Sequence, residues 1–351
     1  MNLKPQTKTL KNGLRLVTLN LPQSQSVTAL LMVKVGSRYE NDKLAGLSHF
    51  LEHMPAKGTK KYPTAQDLAV TIDSVGAEYN AFTSKEYTGF YVKSASSHLE
   101  LALDILSQLV FHPLLPAQEI EKEKGVIIEE INMYNDHPMA KVGSEFEKLI
   151  YPNSNLGRQI IGFKKTVKSF KRKDFLDYKT KWYKPDRMVL GIVGGTNKVK
   201  SSKLKVQSLI KKYFSFRHSA LDAESIKNLT FIQQKPQLKV KYKKTEQAHL
   251  CLGVRAFPQG HQDRYVMAVL TIILGGNMSS RLFSEVREKR GLAYYIKSDI
   301  STYFDNGYLV SQAGVDIKKA EEAIKVILEE YRKIPKFQNS KIQKNNLTME
   351  Q

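Results

Sequence analysis

Two histidines and a glutamate in the run Gly46-Leu47-Ser48-His49-Phe50-Leu51-Glu52-His53-Met54 have the types and spacing to do chemistry. On a helix, His49 and His53 stand one turn apart and face the same way, so two imidazoles can share one ion. Glu52 lies three residues from His49, near enough to that face to reach a water on the ion. Zinc suits such a set. It takes neutral imidazole nitrogens and an anionic third ligand, and it leaves a fourth position for water. A carboxylate beside that water can take its proton while the metal polarises a carbonyl. The third ligand has to come from another element. Glu119 to Tyr134 has helical apolar spacing, with Ile120, Val126, Ile127 and Ile131, and it carries five glutamates. Glu123 and Glu130 are seven residues apart and share a face, whereas Glu129 points elsewhere. Taken alone, a glutamate-rich helix is usually just solvated.

The elements that must position these residues occur twice. A strand at Ala29-Leu30-Leu31-Met32-Val33-Lys34-Val35 has its counterpart at Leu250-Cys251-Leu252-Gly253-Val254-Arg255, and the glycine-led strand Gly89–Lys93 has its counterpart at Gly307–Ser311. Each glycine-led strand runs into an amphipathic helix. The first has Leu99, Ala102, Leu103, Leu106 and Leu109; the second has Ile317, Ala320, Ile324, Ile327 and Leu328. This is a duplicated domain rather than a solenoid unit. Val269 and Ile273 stand 220 residues after His49 and His53, so only the first copy is expected to hold a metal.

Half-polar strands alternating with amphipathic helices point to an α+β fold. Two homologous domains are expected, each a mostly antiparallel sheet with helices on one face. The strand Met188–Val193 belongs to the first copy, and Ser215–Pro236 lacks periodicity. The expected division is a metal domain at 1–216, a linker at 217–235 and a second, non-metal domain at 236–351. After His98 the first copy runs 117 residues to the linker, but only 35 follow the matching Asp316. The second copy is therefore expected to be C-terminally truncated, with a sheet edge or an apolar face uncovered.

Composition narrows the classes of function. The chain has 351 residues, 41% of them hydrophobic and 25% charged, and a single cysteine, Cys251. A disulfide framework, a cysteine zinc finger and an iron–sulfur cluster are thereby excluded within one chain. The longest apolar run, Val266–Leu274, is half the ~18 residues a membrane span needs and reads as a buried helix. No membrane span is expected, and without a signal-peptide pattern at the start the expected location is the cytoplasm. The net charge of +21 raises nucleic acid as a partner. The lysine-rich stretches 164–184 and 198–212 carry no base-reading motif, so no specific nucleic-acid site is expected and they read as solvated faces.

The order H-x-x-E-H is the inverzincin signature. With Lys57-Gly58-Thr59 after it, the chain resembles the pitrilysin/insulinase family of zinc metallopeptidases, in particular bacterial relatives of the mitochondrial processing peptidase. The resemblance extends through Leu10–Arg15, Tyr79–Glu86, Glu123–Ile131, Tyr183–Asp186, Gly275–Phe283 and Arg287–Tyr294. It implies a zinc metalloendopeptidase acting on peptides or small proteins, with one Zn2+ per chain held by His49, His53 and Glu130. Glu52 is then the general base and Glu123 a supporting carboxylate. It further implies that a substrate strand pairs beside Asn80, Ala81 and Thr83, and that Arg287 and Tyr294 contact the substrate backbone. Relatives of this kind work as homodimers or as heterodimers with an inactive paralogue. The alternative is a catalytically weak or inactive peptide-binding subunit of the same family. Two departures favour it: the expected truncation, and Pro55-Ala56 where relatives carry a bulky residue. Pro55 is expected to disfavour helix at Met54 and so to alter the end of the metal helix.

Overall fold

The computed structural model describes residues 3–196, 203–215 and 235–334. The first sheet grows from strands whose side chains alternate between core and surface. In β3 (Ser26–Val33), Val27, Ala29, Leu31 and Val33 are buried at the two-residue period that puts one face of a strand inward. Around it lie β1 (Gln6–Thr9), β2 (Arg15–Asn20), β4 (Glu78–Thr83), β5 (Thr88–Ala95) and β6 (Met188–Gly194), in the order β1-β2-β6-β3-β5-β4. Only β2 and β6 run parallel; the other neighbours are antiparallel. β4 therefore forms an edge, and it is the strand that carries Asn80, Ala81 and Thr83.

Among the described residues, eight helices precede the second sheet along the chain: α1 (Leu47–His53), α2 (Ala65–Asp73), α3 (Leu99–Phe111), α4 (Ala117–Asp136), α5 (Pro138–Ile150), α6 (Lys164–Ser169), α7 (Arg172–Trp182) and α8 (Lys203–Phe214). The expected α3 stripe of Leu99, Ala102, Leu103, Leu106 and Leu109 is buried and packs on β3 and β5. Phe50 of α1 meets Phe175 of α7 edge-on at 4.9 Å, and both rings are fully buried. That aromatic contact seats α1 in the core.

The second sheet contains β7 (Ala248–Ala256), β8 (Ala293–Thr302) and β9 (Gly307–Val315), in the order β7-β9-β8 and antiparallel throughout. Its helices are α9 (Arg264–Gly275) and α10 (Ala320–Lys333), with a π-helical turn at Phe283–Glu288. The order β7-β9-β8 repeats β3-β5-β4, and α10 follows β9 as α3 follows β5. The α+β fold and the duplication are as the sequence pattern implies.

Two features differ from expectation. The chain forms two compact units, Met1–Met133 with Asn153–Ile226, and Tyr134–Pro152 with Lys227–Gln351, so one cut after residue 216 does not describe it. The cause is α5, whose buried Phe146 and Ile150 lie in the second unit. The Phe146 ring stands 5.3 Å from that of Tyr308, Tyr308 donates to Glu147 at 3.0 Å, and Arg255 donates to the Ile150 carbonyl. A helix that packs on the other copy's sheet cannot be assigned by repeat arithmetic. The linker region lies outside the described residues apart from Lys235. The second difference concerns Val266–Leu274, which is helical but not buried. Val266, Val269, Ile272 and Ile273 are each more than half exposed. The run is apolar all round, so only the stripe bearing Thr271, Leu274 and Gly275 can face the sheet. No helix among the described residues is long and apolar enough to cross a membrane.

Candidate metal centre

The helix α1 begins at a backbone geometry that only glycine adopts easily. Gly46 has φ +96°, and a Cβ there would lie 2.5 Å from the Ile161 carbonyl oxygen. The buried Glu40 carboxylate accepts from the Gly46 and Ser48 N–H groups at 2.8 and 2.6 Å, satisfying donors that the first turn leaves open. Burial pushes the Glu40 carboxyl up to about 7, against the pull of these two hydrogen bonds. Ser48 Oγ and Tyr178 Oη are 2.6 Å apart, which ties the same turn to α7. With Leu47, Phe50 and Leu51 turned into the core, His49, Glu52 and His53 share the opposite side of α1.

Pro55 does not break this helix. Met54 keeps helical dihedrals (φ −69°, ψ −34°), and the chain continues as a 3-10 turn over Met54–Lys57. Pro55 sits in the first turn of that short helix, where its missing N–H costs little. The expectation that Pro55 disfavours helical geometry at Met54 is corrected accordingly, while the end of α1 does pass from α-helix to a 3-10 turn there.

Helix α4 presents the carboxylates. Ile120, Glu123, Ile127 and Ile131 are its buried stripe, and Glu130 lies beside it, so Glu123 and Glu130 both face α1. His49 Nε2 is 3.5 Å from Glu130 Oε1, and His53 Nε2 is 3.9 Å from Glu130 Oε2. One ligand atom from each of His49, His53 and Glu130 can be chosen so that all three lie within 4.8 Å of one another. Tetrahedral zinc ligands at 2.0–2.1 Å from the ion stand about 3.3 Å apart, so the three side chains, with spacings of 3.5 and 3.9 Å to the two Glu130 oxygens and up to 4.8 Å within the set, would draw together around an ion.

The surroundings prepare the histidines. His53 Nδ1 is 3.0 Å from Glu123 Oε1, which leaves Nε2 as the nitrogen directed at Glu130. Glu123 is nearly buried and also meets Lys57 Nζ at 2.7 Å. Burial acts to raise the Glu123 pKa, but hydrogen bonds from His53 and Lys57 outweigh it and hold the carboxyl below its ordinary value. Glu130 is also held low, chiefly by the His49 imidazole beside it. Burial opposes protonation of His53, yet Glu123 and the charges of Glu52 and Glu130 raise its pKa overall. His49 Nδ1 and Glu52 Oε2 are buried without a hydrogen-bond partner. Two convergent imidazoles, one carboxylate and an unpartnered second carboxylate are a donor set that fits zinc.

Glu129 is exposed and accepts from Asn132 at 3.2 Å, away from the cluster. On the β4 edge, Asn80 is exposed while Ala81 and Thr83 are half-buried, and Thr83 Oγ1 lies 3.4 Å from the Ser48 carbonyl oxygen of α1. Arg287 and Tyr294 belong to the other compact unit, with the guanidinium 5.8 Å from the tyrosine ring. Sequence reasoning assigned no part to Glu40 or to the Lys57 side chain. Lys57 stood in the resemblance without a role. Glu40 had no signal at all, because its partners are backbone N–H groups.

The profile of Insulinase (Peptidase family M16) matches residues 15–164, and that of the Peptidase M16 inactive domain matches residues 169–344. The chain belongs to peptidase family M16. Within the family, it is 39% identical over 321 residues to a Bacillus subtilis protein named uncharacterized zinc protease YmxG, covering 92% of this chain and 76% of that one. An uncharacterized zinc protease of Rickettsia felis is 37% identical over 328 residues, covering 93% of this chain and 77% of its own length. In three dimensions, this M16 chain superposes on the crystal structure of a protease from Helicobacter pylori. The TM-score is 0.85 at 25% identity, with 97% of this chain and 82% of that one covered.

Proposed function

We propose that the chain is a zinc metalloendopeptidase that hydrolyses peptides or small proteins. The observation that carries this reading is the convergence of His49 Nε2, His53 Nε2 and the Glu130 carboxylate, with the unpartnered Glu52 carboxylate on the same helix. His49, His53 and Glu130 would hold the ion, one per chain. When bound, zinc supplies Lewis acidity toward the scissile carbonyl and acidifies water. Glu52 takes the proton of the attacking water and returns it to the leaving amine. Glu123 keeps the His53 proton on Nδ1 and so keeps Nε2 available. An extended substrate adds to the β4 edge beside Asn80, Ala81 and Thr83, a geometry that reads backbone more than sequence. Arg287 and Tyr294 are assigned to the substrate backbone.

The test is zinc content of the purified chain together with cleavage of an internally quenched peptide. Cleavage should be abolished by a chelator and restored by zinc. The second reading is a peptide-binding subunit of the family with little or no turnover. It is favoured by the exposed apolar α9 face on the unit that carries Arg287 and Tyr294. Zinc present at one per chain without cleavage would select it.

A further inference from the structure

A short helix takes its direction from its first turn, and in α1 that turn is gripped by a residue the proposed chemistry does not use. Glu40 lies nine residues before His49 and is 1% exposed. Its two carboxylate oxygens serve one donor each: Oε2 accepts from the Gly46 N–H at 2.8 Å and Oε1 from the Ser48 N–H at 2.6 Å. Gly46, at the N-cap, has no side chain to do this itself. The backbone that carries the carboxylate is fixed as well. The Glu40 carbonyl accepts from Asn155 Nδ2 and from Arg158 Nη2, both at 2.7 Å. Arg158 is buried, and its other terminal nitrogen reaches Asp42 at 2.8 Å. On the helix side, Thr166 Oγ1 donates to the Ala45 carbonyl at 2.6 Å, and a Cβ on Gly162 would lie 2.2 Å from that same oxygen. Held in this way, the carboxylate cannot follow a shift of α1, so the helix has to follow the carboxylate.

A buried charge is an unfavourable way to cap a helix. Burial pushes the Glu40 carboxyl up to about 7 in spite of its hydrogen bonds. Groups perturbed to this degree cluster at functional sites. His49 directly follows Ser48, and its Nε2 stands 3.5 Å from Glu130 Oε1. A metal set tolerates misplacement of about 0.5 Å, so a small swing of the first turn is enough to part the imidazoles from Glu130. We propose that Glu40 is the positioning residue of the metal helix: its grip on the Gly46 and Ser48 N–H groups fixes the direction in which α1 presents His49 and His53 to Glu130. This rests on the reading of those three residues as the zinc set. Glu40 touches neither ion nor substrate and acts only through the α1 backbone.

The experiment compares Glu40→Gln with the parent chain in two measurements. Glutamine has one acceptor oxygen and one donor NH2, so one of the two N–H groups must lose its acceptor. In the metal-free chain, hydrogen exchange of the Gly46 and Ser48 amides should quicken at least about tenfold. Zinc affinity of the folded chain, by competition with a chromophoric chelator, should fall at least about tenfold. Glu40→Asp keeps the charge but is one methylene short of spanning both donors. It should fall between the parent and Glu40→Gln, and it carries the test if Glu40→Gln does not fold. Leu103→Ala empties a fully buried site in the α3 stripe, lowers stability from outside the metal helix, and should leave zinc affinity unchanged. The proposal is overturned if both amides exchange at the parent's rate, or if they quicken while zinc affinity stays within about twofold of the parent. It is also overturned if Leu103→Ala loses as much zinc affinity as Glu40→Gln, because the effect is then lost stability alone. A parent chain that binds no zinc contradicts the ligand set instead, and the exchange comparison, which needs no metal, still decides whether Glu40 holds α1.

Discussion

Replacing Glu123 by glutamine should weaken zinc binding without removing any residue that touches the ion. The carboxylate is 4% exposed, 3.0 Å from His53 Nδ1 and 2.7 Å from Lys57 Nζ, so both of its partners need an acceptor. Glutamine has one acceptor oxygen and one donor NH2. If the oxygen stays on His53, the NH2 confronts the Lys57 ammonium. If it turns to Lys57, the NH2 donates to His53 Nδ1, the imidazole proton moves to Nε2, and that nitrogen can no longer bind a metal. Either arrangement has a cost, and loss of such a partner typically lowers metal affinity by about 10–100-fold, or about 1.4–2.7 kcal/mol. The assay is competition for zinc against a chromophoric chelator, with Lys57→Met as the comparison. Lys57→Met removes the competing ammonium and should change affinity less. A Glu123→Gln chain with zinc affinity within about twofold of the parent would refute the reasoning, since His53 would then not depend on Glu123 for its tautomer. A complete loss of zinc would refute it from the other side by making Glu123 a ligand.

Glu52→Gln should keep zinc near one per chain while peptide turnover falls by about 10²–10⁴-fold, measured on the metal-loaded protein. Phe50→Ala empties a fully buried site against Phe175 and should cost about 3–5 kcal/mol in urea unfolding of the first unit; a loss under about 1 kcal/mol would mean that α1 is not held by this packing. Burial works to raise the Glu145 pKa, but Lys239, Lys148 and Lys241 outweigh it and bring the carboxyl down from 4.5 to about 2. Its folded-state pKa is therefore depressed, and its stabilisation is present above pH 4.5 and lost as pH falls toward 2. With solvent screening this amounts to about 1 kcal/mol, and Glu145→Gln should flatten that part of the acid-unfolding curve by the same amount.

Much of the site was legible because a helix converts sequence spacing into direction. His49, Glu52 and His53 fall on one side of α1, and Glu123 and Glu130 fall together on α4, as the 3.6-residue period requires. The α3 stripe was readable for the same reason. What escaped was set by contacts between distant segments. Glu40 binds backbone N–H groups, which have no sequence signature. The α5 helix has an ordinary amphipathic pattern that does not say which sheet it covers. Val266–Leu274 shows the converse limit: an apolar run announces a helix, but burial depends on what packs against it.

The central claim is that Glu130 and not its neighbour completes the metal set of His49 and His53. Zinc content after dialysis, measured on Glu130→Gln, Glu129→Gln and the parent chain, tests it directly. Glu130 Oε1 is 3.5 Å from His49 Nε2, whereas Glu129 accepts from Asn132 on the exposed side of α4. Parent and Glu129→Gln chains should retain close to one zinc, and Glu130→Gln should retain little. Zinc kept by Glu130→Gln and lost from Glu129→Gln, or no zinc in the parent chain, would contradict the account.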